Sequence, residues 1–304
     1  MAKEKFINHK FNQKSLERIE QINSVIDSYL KMDYTLTLRQ LYYQLVSKGF
    51  IENSQQSYDN TGKLVNNARL AGLIDWRAIE DRTRNLKGYW GWQKPSSTIL
   101  SAAYSYRVDK WQGQPNYVEV WVEKEALAAI IQKACSPLRV PFFSCRGYTS
   151  QSEMYDAAKR FIGEDFREGR YIIHLGDHDP SGIDMTRDIQ ERLNLFGAKV
   201  EVKRIALTME QINQFQPPPN FAKEKDSRFK EYAEKYGDKS WELDALEPQI
   251  IENLINKEVI ALRDDSIYKE RCKYEEEGRQ DLQLLYQHYD SAISYLKMEQ
   301  AEFS

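Results

Sequence analysis

The sequence predicts an α/β protein with a parallel sheet in the middle of the chain. Between residues 117 and 207, apolar segments of strand-like composition alternate with segments that have helical spacing. Short turns join these segments, and acidic residues directly follow two of the strands. Strands that alternate with helices in this way imply right-handed crossovers and a sheet covered on both faces.

Four strands and three helices account for this middle region. The first helix is expected to end at Ser136 and Pro137, because proline removes a backbone donor. The third is expected to end at Gly197, since glycine commonly terminates helices. The predicted strands are residues 117–122, 140–145, 171–175 and 199–207, and the predicted helices are residues 123–135, 150–166 and 181–197.

Helical patterns predominate on either side of the predicted sheet. The prolines of residues 216–220 interrupt the chain before a C-terminal helical extension. We therefore divide the chain into residues 1–115, 116–210 and 211–304. Helices are expected at residues 14–32, 37–50 and 57–72 before the sheet, and over most of residues 223–260 and 274–300 after it.

Composition places the chain among globular proteins of the cytoplasm. Its 304 residues, 41% of them hydrophobic, are enough for two domains with a sizeable core. No stretch approaches the roughly 18 apolar residues that a membrane span needs, and the N-terminus lacks the apolar core of a signal peptide. Cys135, Cys145 and Cys272 are too few and too scattered for a disulfide framework or a zinc site. We expect a cytoplasmic protein with no membrane partner.

Charge is distributed unevenly along the chain. Residues 1–115 contain 17 Lys and Arg against 11 Asp and Glu, which gives a net charge of +6. The remainder contains 26 against 35, which gives −9. A basic N-terminal part beside an acidic remainder is typical of a nucleic-acid-binding module joined to a carboxylate-rich one, and it is also found on ordinary solvated surfaces.

Three carboxylates are expected to meet at the carboxyl edge of the sheet. Glu123 ends the first strand, and Asp177 and Asp179 follow the third. Functional groups collect beyond this edge in open parallel sheets. Three hard oxygen ligands without a histidine or thiolate pair favour Mg²⁺ or Mn²⁺ over zinc. The Asp pair is also compatible with a solvated turn in which Asp179 caps the following helix.

These residues resemble the Toprim domain of topoisomerases, bacterial primases and some nucleases. The similarity extends to the A subunit of topoisomerase VI and its meiotic double-strand-break relatives, through WVEKEA (121–126), CRGYTS (145–150) and GDHDPSGIDM (176–185). The resemblance implies a Rossmann-like, mainly parallel four-stranded Toprim fold for residues 116–210. It also implies that Glu123, Asp177 and Asp179 hold the metal, and it makes Glu123 a catalytic candidate.

The same family has an N-terminal winged-helix (CAP-like) domain with an R-x-x-Y-Y segment. Residues 37–50, TLRQLYYQLVSKGF, contain Arg39, Tyr42 and Tyr43 in that order. The resemblance implies that Tyr43 attacks DNA. Arg39 lies about one helical turn away, a position from which it would stabilise the developing charge or orient the phosphate. Residues 74–84 would form the wing. One helix of such a unit reads the major groove, and the candidate DNA contacts are Lys63, Asn66, Asn67 and Arg69, with Arg146 beside the sheet.

The expected function is DNA cleavage by a stand-alone, nucleoid-associated relative of the topoisomerase VI A subunit. The resemblance implies a homodimer acting on double-stranded DNA, with one chain's tyrosine working beside its partner's acids. The chain has no P-loop, so ATP-driven strand passage would require a separate ATPase subunit. Two alternatives remain: a Toprim nuclease that uses metal-activated water, with Tyr43 in a structural role, and a DNA-binding protein that does not cleave.

Overall fold

The protein has a mixed α/β fold in which helices surround one parallel sheet. The computed structural model describes residues 3–32, 34–79, 91–164, 166–222 and 225–302. Among these residues, no helix is long and apolar enough to cross a membrane.

The N-terminal region is helical, and side-chain caps explain where its helices begin. Asn12, Thr37 and Ser54 each accept a hydrogen bond from a backbone N–H of the first turn, which satisfies a donor that the helix leaves free. The first three helices pack on one another. The helices are α1 (Gln13–Lys31), α2 (Leu38–Ser47), α3 (Gln55–Leu70) and α4 (Pro95–Ser105).

The predicted three-helix unit is therefore present, but its wing is not established. Of the predicted wing at residues 74–84, only residues 74–79 are described, and they contain no strand. Ile79 forms an isolated parallel bridge with Leu36. Residues 80–84 lie outside the described residues.

The sheet has four parallel strands in the order β2-β1-β3-β4. The register pairs Val122 with both Ser144 and Leu175, so the carboxyl ends of three strands lie side by side. The residues that follow these ends must therefore converge. The strands are β1 (Asn116–Val122), β2 (Phe142–Ser144), β3 (Gly169–Leu175) and β4 (Glu201–Ala206).

Helices cover both faces of the sheet because its strands are apolar on both sides. Ile173 belongs to the large core shared with the N-terminal helices, whereas Ile172 packs into a second core on the opposite face. This division follows from the alternation of side chains along a strand. The covering elements are a 3₁₀ turn (Glu125–Leu127), α5 (Ala128–Leu138), α6 (Gln151–Gly163) and α7 (Pro180–Leu195).

The C-terminal region adds helices and a short acidic segment. The helix at Pro248–Ala261 packs on α5, and the helix at Asp265–Gln287 packs on α4. Residues 240–246, which we call the acidic strap, run between α2 and the carboxyl edge of the sheet. The elements are α8 (Met209–Phe215), β5 (Asn220–Phe221), α9 (Phe229–Tyr236), β6 (Lys239–Ser240), a second 3₁₀ turn (Leu243–Ala245), α10 (Pro248–Ala261), α11 (Asp265–Gln287) and α12 (Tyr289–Glu302).

Two predicted elements differ from the structure. Helix α5 does not stop at Pro137 but continues to Leu138. Arg139 follows its end in the left-handed conformation, with φ 55°. The predicted helical stretch 223–260 is divided into α9, the acidic strap and α10, because Trp241 forms an antiparallel bridge with His178. This bridge joins residues 63 positions apart by number, so no local pattern signals it.

Phe161 offers a test of the second core. Its side chain is fully buried and meets Tyr117 edge-on, with ring centroids 5.2 Å apart. We expect Phe161→Ala to lower the free energy of unfolding by about 3–5 kcal/mol, because the truncation leaves a cavity. Urea denaturation measures this change. Phe166→Ala removes the same group from a side chain that is 78% exposed and should cost under about 1 kcal/mol. Equal losses in the two variants would contradict the assignment of this core.

Candidate functional site

The predicted acids converge at the carboxyl edge of the sheet. Glu123 follows β1 and Asp177 follows β3 after a single glycine. The backbone N–H of Asp177 donates to Glu123 Oε2 at 2.9 Å. Burial raises the pKa of Glu123; this hydrogen bond opposes the change, and the neighbouring Asp179 adds to it. The sheet register thus joins groups that are distant in sequence.

Two glycines make room for the Glu123 carboxylate. A Cβ on Gly176 would lie 2.9 Å from Glu123 Oε2, and a Cβ on Gly182 would lie 3.0 Å from the same atom. A side chain at Gly182 would also collide with the carbonyl oxygen of Asp177. Glycine is therefore required for the carboxylate to lie against both the turn and the first turn of α7.

Asp177 is buried and engaged by two partners. Its Oδ1 accepts the backbone N–H of Leu243 at 2.8 Å, and its Oδ2 lies 2.7 Å from Lys124 Nζ. Burial raises the pKa of Asp177; Lys124 opposes this change, whereas Glu123 adds to it. The carboxylate thus links the strand edge to the acidic strap.

Asp179 caps helix α7, as one of the two sequence interpretations expected. Its Oδ1 accepts the backbone N–H of Gly182 at 2.6 Å and the hydroxyl of Ser181 at 2.9 Å. Within the described part of the chain, both of these hydrogen bonds are accepted by Oδ1. The cap therefore leaves Oδ2 as the oxygen that would contact a cation.

Arg204, on β4, supports this edge from within the protein, and the sequence did not single it out. Its guanidinium donates to the carbonyl oxygens of Gly176 at 2.9 Å, Asp177 at 2.6 Å and Gly182 at 2.8 Å. Three such bonds fix the turn that carries the aspartates. The predicted strand at residues 199–207 also contains Lys199, Glu201 and Lys203, so its composition did not distinguish Arg204 from its neighbours.

The two histidines near the aspartates are buried, and each is hydrogen-bonded to a neighbouring hydroxyl group. His178 packs among Tyr232, Tyr236 and Trp241, and its Nδ1 lies 2.8 Å from the Tyr232 hydroxyl. His174 is fully buried, with Nδ1 2.8 Å from the Thr186 hydroxyl. Burial, helped by the nearby positive charge of Arg204, lowers the pKa of His174 to about 3.

The acidic strap supplies two further carboxylates, and Lys124 holds them. The Asp244 side chain is completely buried, and it lies 3.3 Å from Lys124 Nζ and 3.2 Å from Arg39 Nε. Glu242 is partly exposed and pairs with the same two cations. Burial alone would lower the pKa of Lys124, but Asp177, Asp244 and Glu242 together raise it. Lys124 therefore remains charged.

Tyr43 lies at the other end of this network. Arg39 Nη2 donates to its hydroxyl at 3.3 Å. The ring is 7% exposed and lines a cleft of about 370 Å³, beside Tyr58 and Asn220. Burial and the negative charge of Glu242 raise the pKa of Tyr43, while Arg39 opposes them. Tyr43 and Asp177 are thus connected through charged side chains of one chain.

The adjacent Tyr42 has a different surrounding. Its hydroxyl donates to Asn53 Oδ1 at 3.0 Å and accepts the backbone N–H of Ser54 at 2.8 Å, which fastens the start of α3. Of the two tyrosines, Tyr43 is therefore the one that faces the acids.

The predicted DNA contacts do not share one environment. Lys63 is exposed on α3 and Asn67 is partly exposed, so both side chains are accessible for contact with DNA. Arg146 is exposed, with φ 55°, and pairs with Glu125 at 3.3 Å. Arg69 differs, because its guanidinium stacks 4.6 Å from the Trp76 ring and donates to the Trp76 carbonyl at 2.6 Å. The structure gives Arg69 a role in holding the chain after α3 and does not support a phosphate contact.

The fit of a divalent cation to this edge rests on donor chemistry and charge. No group of three or more His, Cys, Asp or Glu side chains among the described residues is arranged as a ready metal site. The glycine-lined position of Glu123 and the capping position of Asp179 nevertheless present hard oxygen ligands. The cations Arg39, Lys124 and Arg204 face five carboxyl groups, those of Glu123, Asp177, Asp179, Glu242 and Asp244. When all are ionised, two negative charges remain, which matches one divalent ion.

Comparison with models of known protein families and with curated proteins finds no match to this chain.

His174 predicts a specific pH dependence of stability. The unfolded histidine takes up a proton as the pH falls through about 6.5, whereas the folded one does so only near 3. Between these values the unfolded state binds more protons. The free energy of unfolding therefore decreases by about 1.4 kcal/mol for each unit by which the pH is lowered. We expect His174→Asn to remove this slope, so that its destabilisation relative to wild type shrinks from pH 7 to pH 5. Urea denaturation at each pH measures the difference, and a difference that stays constant would contradict the burial of a neutral His174.

Proposed function

We propose that this protein cleaves double-stranded DNA by transesterification through Tyr43, in the manner of a topoisomerase VI A subunit. The observation that carries the proposal is the chain of charged contacts from Tyr43 through Arg39 and the acidic strap to Lys124 and Asp177. Packing of α2 alone does not require that Tyr43 be connected to the carboxylates at the sheet edge.

The chemistry requires a phenol, a cation and a site for the phosphate. The Tyr43 hydroxyl releases its proton to solvent, and its oxygen attacks phosphorus and forms a phosphotyrosyl ester, while the bond from phosphorus to the deoxyribose oxygen breaks. That leaving oxygen takes up a proton and becomes a hydroxyl group. Arg39 is placed to orient the phosphate and to offset its developing charge. The ester conserves the energy of the broken bond for resealing.

The proposal assigns the metal to the sheet edge. Glu123, Asp177 and Asp179 would hold Mg²⁺ or Mn²⁺. The two negative charges that remain when the five carboxyl groups and three cations of this network are all ionised support this assignment. The ion would supply positive charge to the phosphate oxygens. The residues of this chain do the remaining work: the glycines let Glu123 approach the turn, and Arg204 keeps that turn in place.

DNA is proposed to approach from the N-terminal region, which has a net charge of +6. Lys63 and Asn67 on α3, together with Arg146, are the proposed contacts. The resemblance to topoisomerase VI supports a homodimer and a separate ATPase subunit. It also places the tyrosine beside the partner's acids, whereas the contacts described above lie within one chain.

A second function is favoured by the burial of Tyr43. A phenol that is 7% exposed and whose pKa is raised by burial is a poor nucleophile until DNA binding frees it. We propose, as the alternative, hydrolysis of DNA by metal-activated water at the same acidic edge. In this case Tyr43 only orients Arg39.

A plasmid cleavage assay separates these functions. Purified protein is incubated with plasmid and Mg²⁺ or Mn²⁺, the reaction is stopped with SDS, and half is treated with protease. We expect breaks with covalently attached protein, and we expect Tyr43→Phe to reduce them by about 1,000-fold or more, because the attacking oxygen is absent. Asp177→Ala should abolish cleavage as well.

Tyr42→Phe is the matched control, since it removes a neighbouring hydroxyl that holds Asn53 and Ser54 instead of Arg39. It should retain covalent cleavage. Protein-free breaks that survive Tyr43→Phe and vanish in Asp177→Ala would establish the water-dependent nuclease. DNA binding without any break, unchanged in Asp177→Ala, would establish a binding protein and refute both cleavage mechanisms.

A further inference from the structure

The most completely buried carboxylate of the site belongs to a residue with no role in the proposed chemistry. The Asp244 side chain has no exposed surface, although it lies in a short 3₁₀ turn of the acidic strap. An ionised carboxylate in such a place is costly unless charged partners surround it. Its surroundings therefore indicate what it is there to hold.

Asp244 contacts one cation from each side of the site. Its Oδ2 lies 3.2 Å from Arg39 Nε, and Arg39 in turn donates to the Tyr43 hydroxyl. Its Oδ1 lies 3.3 Å from Lys124 Nζ, which is paired with Asp177. Each oxygen thus serves a different half of the site, and a single buried carboxylate sets the position of both cations.

The backbone on either side of Asp244 is also hydrogen-bonded to the site. Leu243, the preceding residue, donates its N–H to Asp177 at 2.8 Å. Ala245, the following residue, accepts a hydrogen bond from the side chain of Gln44 on α2 at 3.4 Å. Asp244 is therefore tied to the sheet edge on one side and to the tyrosine helix on the other.

Glu242 differs from Asp244 although it touches the same cations. Its side chain is 25% exposed, so water screens its charge, and it lies outside the 3₁₀ turn. A solvated glutamate can exchange its partners for water or for a phosphate group, whereas a fully buried aspartate cannot. The two acids are therefore not equivalent.

We propose that Asp244 is the positioning residue of the cleavage site: it aligns Arg39 with Tyr43 and Lys124 with Asp177, so that the two halves act on one phosphate. This inference rests on the proposed cleavage function. We assign Asp244 no contact with DNA, because its side chain is fully buried and both of its oxygens are paired with cations. Its loss would displace both cations at once, and small displacements of aligned groups reduce rates severely.

The test is Asp244→Asn, which keeps the shape of the side chain and removes its charge. We expect the single-turnover rate of covalent cleavage to fall about 10–100-fold, as is usual when a group that orients a catalytic side chain is changed. We expect DNA affinity to stay within about 3-fold of wild type, since a fully buried group makes no DNA contact. A loss of affinity equal to the loss of rate would overturn the assignment.

A spectroscopic signal reports the same alignment without DNA. In protein labelled at tyrosine Cζ, the resonance of Tyr43 is identified among the 19 tyrosines by its absence in Tyr43→Phe. Asp244→Asn should shift this resonance, because the Arg39 hydrogen bond to the hydroxyl changes. An unshifted Tyr43 resonance in folded Asp244→Asn protein would refute the proposal.

Glu275→Gln is the matched control for the removal of a buried paired carboxylate. Glu275 is 3% exposed and pairs with Lys110, Arg139 and Arg279, all remote in sequence from the strap. This variant should leave the Tyr43 resonance and the cleavage rate unchanged. If it shifts the resonance as much as Asp244→Asn does, the effect reports general destabilisation and the proposal fails.

Two further arms complete the test. Asp244→Ser, which is smaller and still accepts a hydrogen bond, replaces Asp244→Asn if that variant does not fold. If wild-type protein leaves no covalent adduct on DNA, the proposed function fails, and the Tyr43 resonance alone then decides whether Asp244 positions Arg39.

Discussion

The ammonium group of Lys124 is the interaction on which the rest of the site depends. It lies among the carboxylates of Asp177, Glu242 and Asp244, and its side chain is only 19% exposed. Without this charge, Arg39 alone would offset Glu242 and Asp244, and the acidic strap would be repelled from Asp177 at the sheet edge. One lysine thus permits α2, the strap and the parallel sheet to form a continuous polar site.

A second cation does the same for the other side of the edge. Arg204 holds the turn between β3 and α7 through three backbone carbonyls, and its charge faces Glu123, Asp177 and Asp179. The acids are therefore positioned by bonds to backbone atoms and are not free to rearrange. Such a rigid arrangement would suit the proposed reaction, because these groups would meet a phosphate without reorganising.

Neighbouring residues of α2 illustrate how position around a helix separates the roles of two side chains. Tyr42 and Tyr43 follow one another, yet one fastens the beginning of α3 and the other meets Arg39. Their separation by about 100° around the helix sends one ring toward α3 and the other toward the strap. A repeated residue type in a helix therefore does not imply a repeated function.

The sequence by itself determined the order of the strands and helices along the chain, and it predicted that Glu123 would meet Asp177 at one edge of the sheet. Both features follow from local periodicity and from the geometry of parallel sheets. Tertiary structure alone decided the partners of the charges. Asp244 meets Arg39 across about 200 positions, and the Trp241 bridge with His178 divides a region of helical pattern. Local patterns do not record such pairings, since the free energy of burying a charge depends on which distant groups surround it.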